Sequence, residues 1–146
     1  MKRALIVYST KTGNTRGIAE YIGEGVRFSG FQEQVKNIEE ISDPQEISEY
    51  DGIVIGSATY GGQMMEEMKQ FLGVAASLNL EEKKGGAFGA YGWSGEAPDE
   101  IFKIMKEHFK MDMVNDSLRL KAAEIQGGMK MAQDYGRGLA ALMEYE

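Results

Sequence analysis

Short apolar runs alternate with amphipathic stretches along the whole chain. Five runs have the length and apolar content of strands in a sheet: 3–8, 32–38, 51–57, 85–91 and 113–120. The run 32–38 alternates only weakly between polar and apolar positions, which predicts a strand at the outside of the sheet. Four stretches repeat apolar residues at helical spacing and predict helices: 15–28, 63–77, 97–109 and 124–143.

This alternation of strand and helix predicts an α/β fold, a doubly wound five-stranded parallel sheet with helices on both faces. A parallel connection needs a crossover helix and is right-handed, so successive strands run in the same direction. In an open sheet of this kind, ligands bind beyond the carboxyl ends of the strands, where the strand order reverses. We therefore expect the functional residues in the loops that follow the strands.

Three of those loops share the same small polar residues. They read STKTGNT (9–15), SATYGGQ (57–63) and AYGWSGEA (90–97). Hydroxyl groups and unpaired backbone N–H groups at a helix N-terminus bind anions, because these donors and the helix dipole point the same way. Tyr60, Tyr91 and Trp93 add flat aromatic faces at the same edge of the sheet. The three loops therefore predict a ligand that combines a phosphate with a planar ring.

Ordinary structural roles account for some of these residues taken one at a time. A helix N-cap explains Thr12 or Asn14 alone, but not the whole group of hydroxyls in the first loop. Packing in the core is the commoner role of an aromatic residue, and it remains an alternative for Tyr60 and Trp93. Trp93 nevertheless lies in a glycine-rich predicted loop rather than on a core face.

Composition and motif absences exclude several other classes of protein. The length of 146 residues suits one domain, 1–146, and the lack of cysteine with a single histidine, His108, excludes disulfides, iron–sulfur clusters and histidine-rich metal sites. The net charge of −7 argues against nucleic acid and favours partners with basic surfaces. The sequence contains neither G-x-G-x-x-G, the motif of dinucleotide-binding folds, nor G-x-x-x-x-G-K-[ST], the motif of P-loop proteins. No apolar run approaches the roughly 18 residues of a membrane span, so we expect a cytoplasmic protein with no membrane partner.

Three segments carry a resemblance to a known family. IVYSTKTGNTRGIAEYI (6–22) resembles the phosphate-binding signature of flavodoxins, which hold flavin mononucleotide (FMN) non-covalently. DGIVIGSATY (51–60) and FGAYGWSGEA (88–97) are similar to the two other flavin-contacting loops of that family. The last segment is closest to short-chain clostridial-type flavodoxins and to the flavodoxin domain of flavodiiron proteins. The resemblance covers nearly the whole chain and implies FMN as the cofactor and the strand order 2-1-3-4-5.

The resemblance implies a role for each of the three loops. The first loop would hold the phosphate through hydroxyl and backbone N–H groups, with Lys11 either pointing to solvent or contacting the phosphate directly. Tyr60 and Trp93 would flank the isoalloxazine ring, Trp93 on its outer face, and neighbouring backbone groups would line the ring edge. The expected cofactor-binding residues are Ser9, Thr10, Lys11, Thr12, Gly13, Asn14, Thr15, Ser57, Ala58, Thr59, Tyr60, Gly61, Gly62, Ala90, Tyr91, Gly92, Trp93 and Gly95.

The function implied by the resemblance is transfer of single electrons by a low-potential FMN carrier between a reductase and an acceptor. No residue is expected to act as acid, base or nucleophile, because the flavin supplies the chemistry and no metal is involved. We expect a monomer, with carboxylates around the flavin steering redox partners that carry basic surfaces. The second loop departs from the family pattern at Ala58, Gly61 and Gly62, which leaves open whether Gly61 or Gly62 contacts flavin N5.

Other functions remain as alternatives. A small FMN-dependent NAD(P)H:quinone-type reductase would need a substrate pocket beside the ring and often a dimer, for which the chain is short. A flavin-free interaction module that keeps the fold is disfavoured by the intact STKTGNT loop. The metal-binding domain of flavodiiron proteins is absent from this sequence, so we do not expect chemistry at a diiron centre.

Overall fold

Strands and helices alternate in the computed structural model of the protein, which describes residues 2–9, 13–60, 63–90, 96–120 and 127–144. In chain order the elements are β1 (Arg3–Ser9), α1 (Asn14–Phe28), β2 (Gln32–Asn37), β3 (Gly52–Ser57), β4 (Thr59–Tyr60), β5 (Gln63–Met64), α2 (Glu66–Ala75), β6 (Lys84–Ala90), α3 (Glu96–Lys103), β7 (Asp112–Met113), β8 (Leu118–Leu120) and α4 (Gly128–Glu144). Two 3-10 segments, Ile38–Glu40 and Pro44–Glu49, connect β2 to β3, and a π-helical turn, Ile104–His108, continues α3.

The main sheet is parallel throughout the described residues. Its strands follow the order β2-β1-β3-β6, and both β7 and β8 pair with the remaining edge of β6. Taking β7 and β8 as one interrupted strand, this is the predicted order 2-1-3-4-5, which is confirmed. The central strands β1, β3 and β6 are buried along almost their whole length, whereas β2 at the edge is partly exposed, as its weaker alternation predicts.

Side chains of the central strands point alternately to the two faces of the sheet. Ile6 and Val54 belong to the core under α1 and α4. Val7 and Ile55, one position further along each strand, belong to the core under α2 and α3. The doubly wound architecture predicted from the sequence is therefore confirmed.

Helices α1 and α4 approach each other at backbone distance. A Cβ atom on Gly136 would lie 2.0 Å from the carbonyl oxygen of Ile22, and one on Gly25 would lie 2.0 Å from that of Gln133. Because no side chain fits at either position, the two glycines allow α4 to rest directly on α1. This contact fixes α1, whose first turn borders the edge where the strands end.

The second predicted helix is wrong at its start. The sequence spacing predicts a helix from residue 63, but Gln63 and Met64 form β5, which pairs antiparallel with β4, and α2 begins at Glu66. Met64 is buried in either arrangement, so the helical spacing of its apolar neighbours did not distinguish the two. The beginning of the predicted helix is therefore a short strand paired with β4.

The fifth predicted strand, 113–120, is wrong as a continuous element. It is divided into β7 and β8, which pair with the beginning and the end of β6. Between them the chain leaves the ladder, and Asp116 accepts a hydrogen bond from the N–H of Ser117 at 2.8 Å. The hydroxyl of Tyr135 on α4 takes the empty place in the ladder, accepting the N–H of Ala87 at 3.0 Å and lying 2.7 Å from the carbonyl oxygen of Asp116.

The other predicted helices agree with the structure within the part it describes. The helix predicted at 15–28 is α1, and that predicted at 97–109 is α3 with its π-helical turn. The predicted start of the last helix at 124 lies outside the described residues, and α4 begins at Gly128. Among the described helices, none is both long enough and apolar enough to cross a bilayer.

Candidate functional site

The three central strands end at one edge of the sheet, where the three loops of the predicted site begin. Ser9 ends β1, Ser57 ends β3 and Ala90 ends β6. Ser9 and Ser57 are direct partners in the register of β1 and β3. The parallel sheet thus places the starts of all three loops side by side.

Ser57 closes the second loop with its hydroxyl. Its oxygen accepts the hydroxyl of Ser9 at 3.3 Å and the N–H of Met65 at 3.1 Å, and its own proton goes to the carbonyl oxygen of Ala58 at 2.9 Å. Met65 directly precedes α2, so one side chain joins the two ends of the segment 58–64. Because both the proton and the lone pairs are used, Ser57 acts on this site by holding its frame.

Thr59 connects the second loop to the third. Its hydroxyl oxygen accepts the N–H of Ala97 at 3.2 Å. Ala97 is the second residue of α3 and is fully buried. The first N–H groups of a helix have no partner within the helix. Thr59, on another loop, supplies the acceptor for one of them.

The start of α1 carries a buried hydroxyl that is unpaired among the described residues. Thr15, the second residue of α1, is fully buried, and its Oγ1 atom has no hydrogen-bond partner among the residues that the structure describes. The preceding Gly13 is the N-cap, with φ of 91° and no side chain to cap the helix. The left-handed backbone at Gly13 favours glycine, and among the described residues a Cβ there would meet no atom within 4 Å.

Charge and burial together favour an anion at α1. The first turns of α2 and α3 contain carboxylates, Glu66 and Glu67 in α2 and Glu96 and Asp99 in α3, whereas the first turns of α1 and α4 contain none. A carboxylate in the first turn already interacts with the positive end of the helix dipole. Of the two helix starts without one, α1 has the buried hydroxyl of Thr15 in its first turn.

Three polar side chains are fully or almost fully buried in the described part of the chain. They are Ser9 at 3% exposure, Ser57 at 0% and Thr15 at 0%, and all three belong to the predicted site. A buried hydroxyl is costly unless it is paired. These three buried hydroxyls are therefore gathered at the carboxyl edge of the sheet, where the sequence predicts the ligand.

The described part of the predicted site also includes three residues beside these hydroxyls. Asn14 begins α1 and is exposed, while Ala58 and Ala90 are largely buried where β3 and β6 end. Tyr60 is described only as a backbone position of β4. The remaining predicted residues lie outside the described residues: Thr10, Lys11, Thr12, Gly61, Gly62, Tyr91, Gly92, Trp93 and Gly95.

Sequence reasoning missed the groups that hold the loops together. Composition and spacing do not single out the N–H groups of Met65 and Ala97, because every residue except proline carries one and their partners lie 8 and 38 positions away. The one available signal is that Ser57 and Thr59 place hydroxyls at alternate positions after a buried strand.

This arrangement defines a class: a doubly wound α/β protein with a buried, unpaired hydroxyl in the first turn of its first helix and the ends of two further strands beside it, among the described residues. Comparison with known proteins identifies the family. The family model described as Flavodoxin matches residues 6–136, so the chain belongs to the flavodoxin family. The cofactor of this family is FMN, and the expectation of FMN is confirmed.

Individual relatives agree with this assignment. A flavodoxin from the domain Archaea superposes with a TM-score of 0.91 at 31% identity, over 97% of this chain and 99% of its own. The Flv1 flavodiiron core from Synechocystis gives a TM-score of 0.87 at 28% identity, over 99% of this chain and 37% of its own. The anaerobic nitric oxide reductase flavorubredoxin of Escherichia coli is 30% identical over 94% of this chain and 29% of its own length. The chain spans about a quarter of the length of the curated relatives it matches.

Proposed function

We propose that this chain is an FMN-dependent carrier that passes single electrons between a reductase and an acceptor, each a separate protein or domain. The observation that carries the proposal is the buried hydroxyl of Thr15, which has no partner among the described residues and lies in a first helical turn that contains no carboxylate. A phosphate of FMN would satisfy this hydroxyl and the helix dipole together. The residues present therefore fit the cofactor of the family.

Each loop has its part in this proposal. The first loop binds the phosphate through hydroxyl and backbone N–H groups of Ser9, Thr10, Thr12, Asn14 and Thr15. Tyr60 and Trp93 flank the isoalloxazine ring, and the remaining predicted residues of the second and third loops line its edge. FMN, when bound, supplies the electron chemistry, and the protein supplies binding, orientation and electrostatics.

Carboxylates beside the loops support docking of a basic partner. Glu66, Glu67, Glu96 and Asp99 are exposed in the first turns of α2 and α3, which follow the second and third loops. Asp99 is partly compensated by Arg119, whose guanidinium lies 3.5 Å away. The carboxylates of α2 are the stronger candidates for steering a partner to the flavin edge.

Anaerobic redox titration tests the carrier function against the reductase alternative. A carrier of single electrons takes up its two electrons in separate one-electron steps, each resolved in the visible spectrum, and does not oxidise NADH or NADPH unless a reductase is added. Steady oxidation of either nucleotide by the purified protein together with a quinone would contradict the proposal and favour the reductase.

A further inference from the structure

Thr59 and Ala97 join two loops that are far apart in the sequence. The Thr59 hydroxyl accepts the N–H of Ala97 at 3.2 Å, from the loop after β3 to the helix that follows the loop after β6. We propose that Thr59 is a positioning residue, which sets the third loop against the second so that the flavin ring fits between them. This inference rests on the proposed binding of FMN.

The third loop is anchored at both ends by contacts that the structure describes. At its beginning, Ala90 is paired with Leu120 of β8 in the sheet. At its end, Ala97 is fully buried and donates its N–H to Thr59. The first anchor belongs to the sheet ladder, whereas the Thr59 hydroxyl joins the end of the third loop directly to a residue of the second.

Thr59 itself lies in a described strand pair. It pairs with Met64, and Tyr60 pairs with Gln63, where β4 runs antiparallel to β5. Just beyond this pair, the hydroxyl of Ser57 accepts the N–H of Met65 at 3.1 Å. These contacts hold Thr59 in place for its bond to the first turn of α3.

The hydroxyl of Thr59 acts on the ring side of the site. Residues 58–62 and 91–95 are the proposed ring-binding segments, and Thr59 bonds to the helix that ends the second of them. The proposed phosphate site lies instead at the first turn of α1, which Thr59 does not contact in any described hydrogen bond. Loss of the Thr59 hydroxyl therefore weakens the binding of FMN and of riboflavin by the same factor, since the two ligands share the ring and differ in the phosphate.

Thr59→Val tests the proposal, with Thr59→Ser as the variant that keeps the hydroxyl. We expect the valine variant to bind both flavins roughly tenfold more weakly, as befits a buried N–H left without a partner, and the serine variant to bind both as wild type does. The visible circular dichroism of flavin-saturated protein should change in the valine variant, because it reports the surroundings of the ring. Ser77→Ala is the matched control, since its hydroxyl bonds to the carbonyl oxygen of Val74 at the end of α2.

Other outcomes overturn the proposal. Wild-type affinity for both flavins in Thr59→Val, or a loss confined to FMN, would show that Thr59 does not position the ring-binding loops. A less stable apoprotein with unchanged affinity and unchanged circular dichroism would make Thr59 merely structural. Thr59→Ala removes the same hydroxyl without the branched methyl group and gives the answer if the valine variant does not fold. Failure of the proposed function itself would appear separately, as wild-type protein that binds neither flavin.

Discussion

Ser9 and Ser57 face each other hydroxyl to hydroxyl, 3.3 Å apart, at the paired ends of two central strands. Both are buried, and Ser57 also accepts the N–H of Met65. The pair connects the loop proposed to hold phosphate to the loop proposed to hold the ring. The beginnings of the two loops are thereby joined at the edge of the sheet.

The two serines should therefore be coupled in stability. Ser57→Ala leaves the N–H of Met65 without its acceptor and should lower the free energy of unfolding of the apoprotein by about 1–3 kcal/mol. Ser9→Ala should cost less, because Ser57 keeps its bond to Met65. In urea unfolding the double variant should be little worse than Ser57→Ala alone, and strict additivity of the two effects would argue against a shared bond.

The contact between α1 and α4 makes a stability prediction with a control in the same helix. Gly136→Ala places a Cβ 2.0 Å from the carbonyl oxygen of Ile22 and should destabilise the protein by about 1–3 kcal/mol, since the helices must separate. Gly138→Ala meets no atom within 4 Å and should instead stabilise the helix by up to about 1 kcal/mol. Thermal unfolding of the two variants decides the matter, and equal effects would show that α4 does not rest on α1 at Gly136.

Tyr135 makes a prediction at alkaline pH. Burial raises the pKa of the Tyr135 phenol above its ordinary value of 10.0. Above about pH 10 the unfolded chain loses this proton while the folded protein keeps it, so stability should fall with rising pH by up to about 1.4 kcal/mol per pH unit from this residue. Tyr135→Phe should flatten that slope, although it lowers stability at neutral pH by leaving the N–H of Ala87 unpaired. An identical alkaline slope in the two proteins would count against the effect.

The carboxylates at the start of α2 predict a dependence on salt. Electron transfer from the reduced protein to a cationic metal complex should slow as salt rises from about 0.01 M to about 1 M, because the Debye length falls from about 30 Å to about 3 Å. Replacing both Glu66 and Glu67 with Lys should slow the reaction at low salt, whereas Glu81→Lys, at an exposed position before β6, should have little effect. An electron-transfer rate that is unchanged both by salt and by the charge reversal would exclude electrostatic docking at α2.

Much of this fold was predictable from the sequence, because its cause is local. The central strands are continuous apolar runs such as Leu5 to Val7, and α1 repeats Ile18 and Ile22 at helical spacing, so pattern and structure agree. The split between β7 and β8 was not predictable, since it depends on the hydroxyl of Tyr135 reaching Ala87 from 48 residues away. Nothing in the local sequence around Ala87 or Tyr135 indicates that the two residues are in contact.

The candidate site was also predictable only where its features are local in the sequence. Residue type indicated the hydroxyls of Ser9, Ser57 and Thr15, and all three are buried at the expected edge. Which hydroxyl holds the frame and which is left for a ligand depends on partners across loops, so only the structure distinguishes Ser57 from Thr15. The helix predicted from residue 63 begins only at Glu66, because the buried Met64 and Met65 fit a helix as well as the strand β5 and its connection to α2.

Thr15→Val offers the most direct test of the central claim, that FMN binds with its phosphate at the first turn of α1. The hydroxyl of Thr15 has no described partner, so valine should leave the apoprotein at least as stable as wild type. The variant should nevertheless bind FMN roughly 10- to 100-fold more weakly, as expected for a lost hydrogen bond to a charged group, and bind riboflavin as wild type does. The measurement is the pair of dissociation constants, for FMN and for riboflavin, in wild type and variant. A wild-type protein with equal affinity for the two flavins, or a variant that loses both alike, would contradict the account.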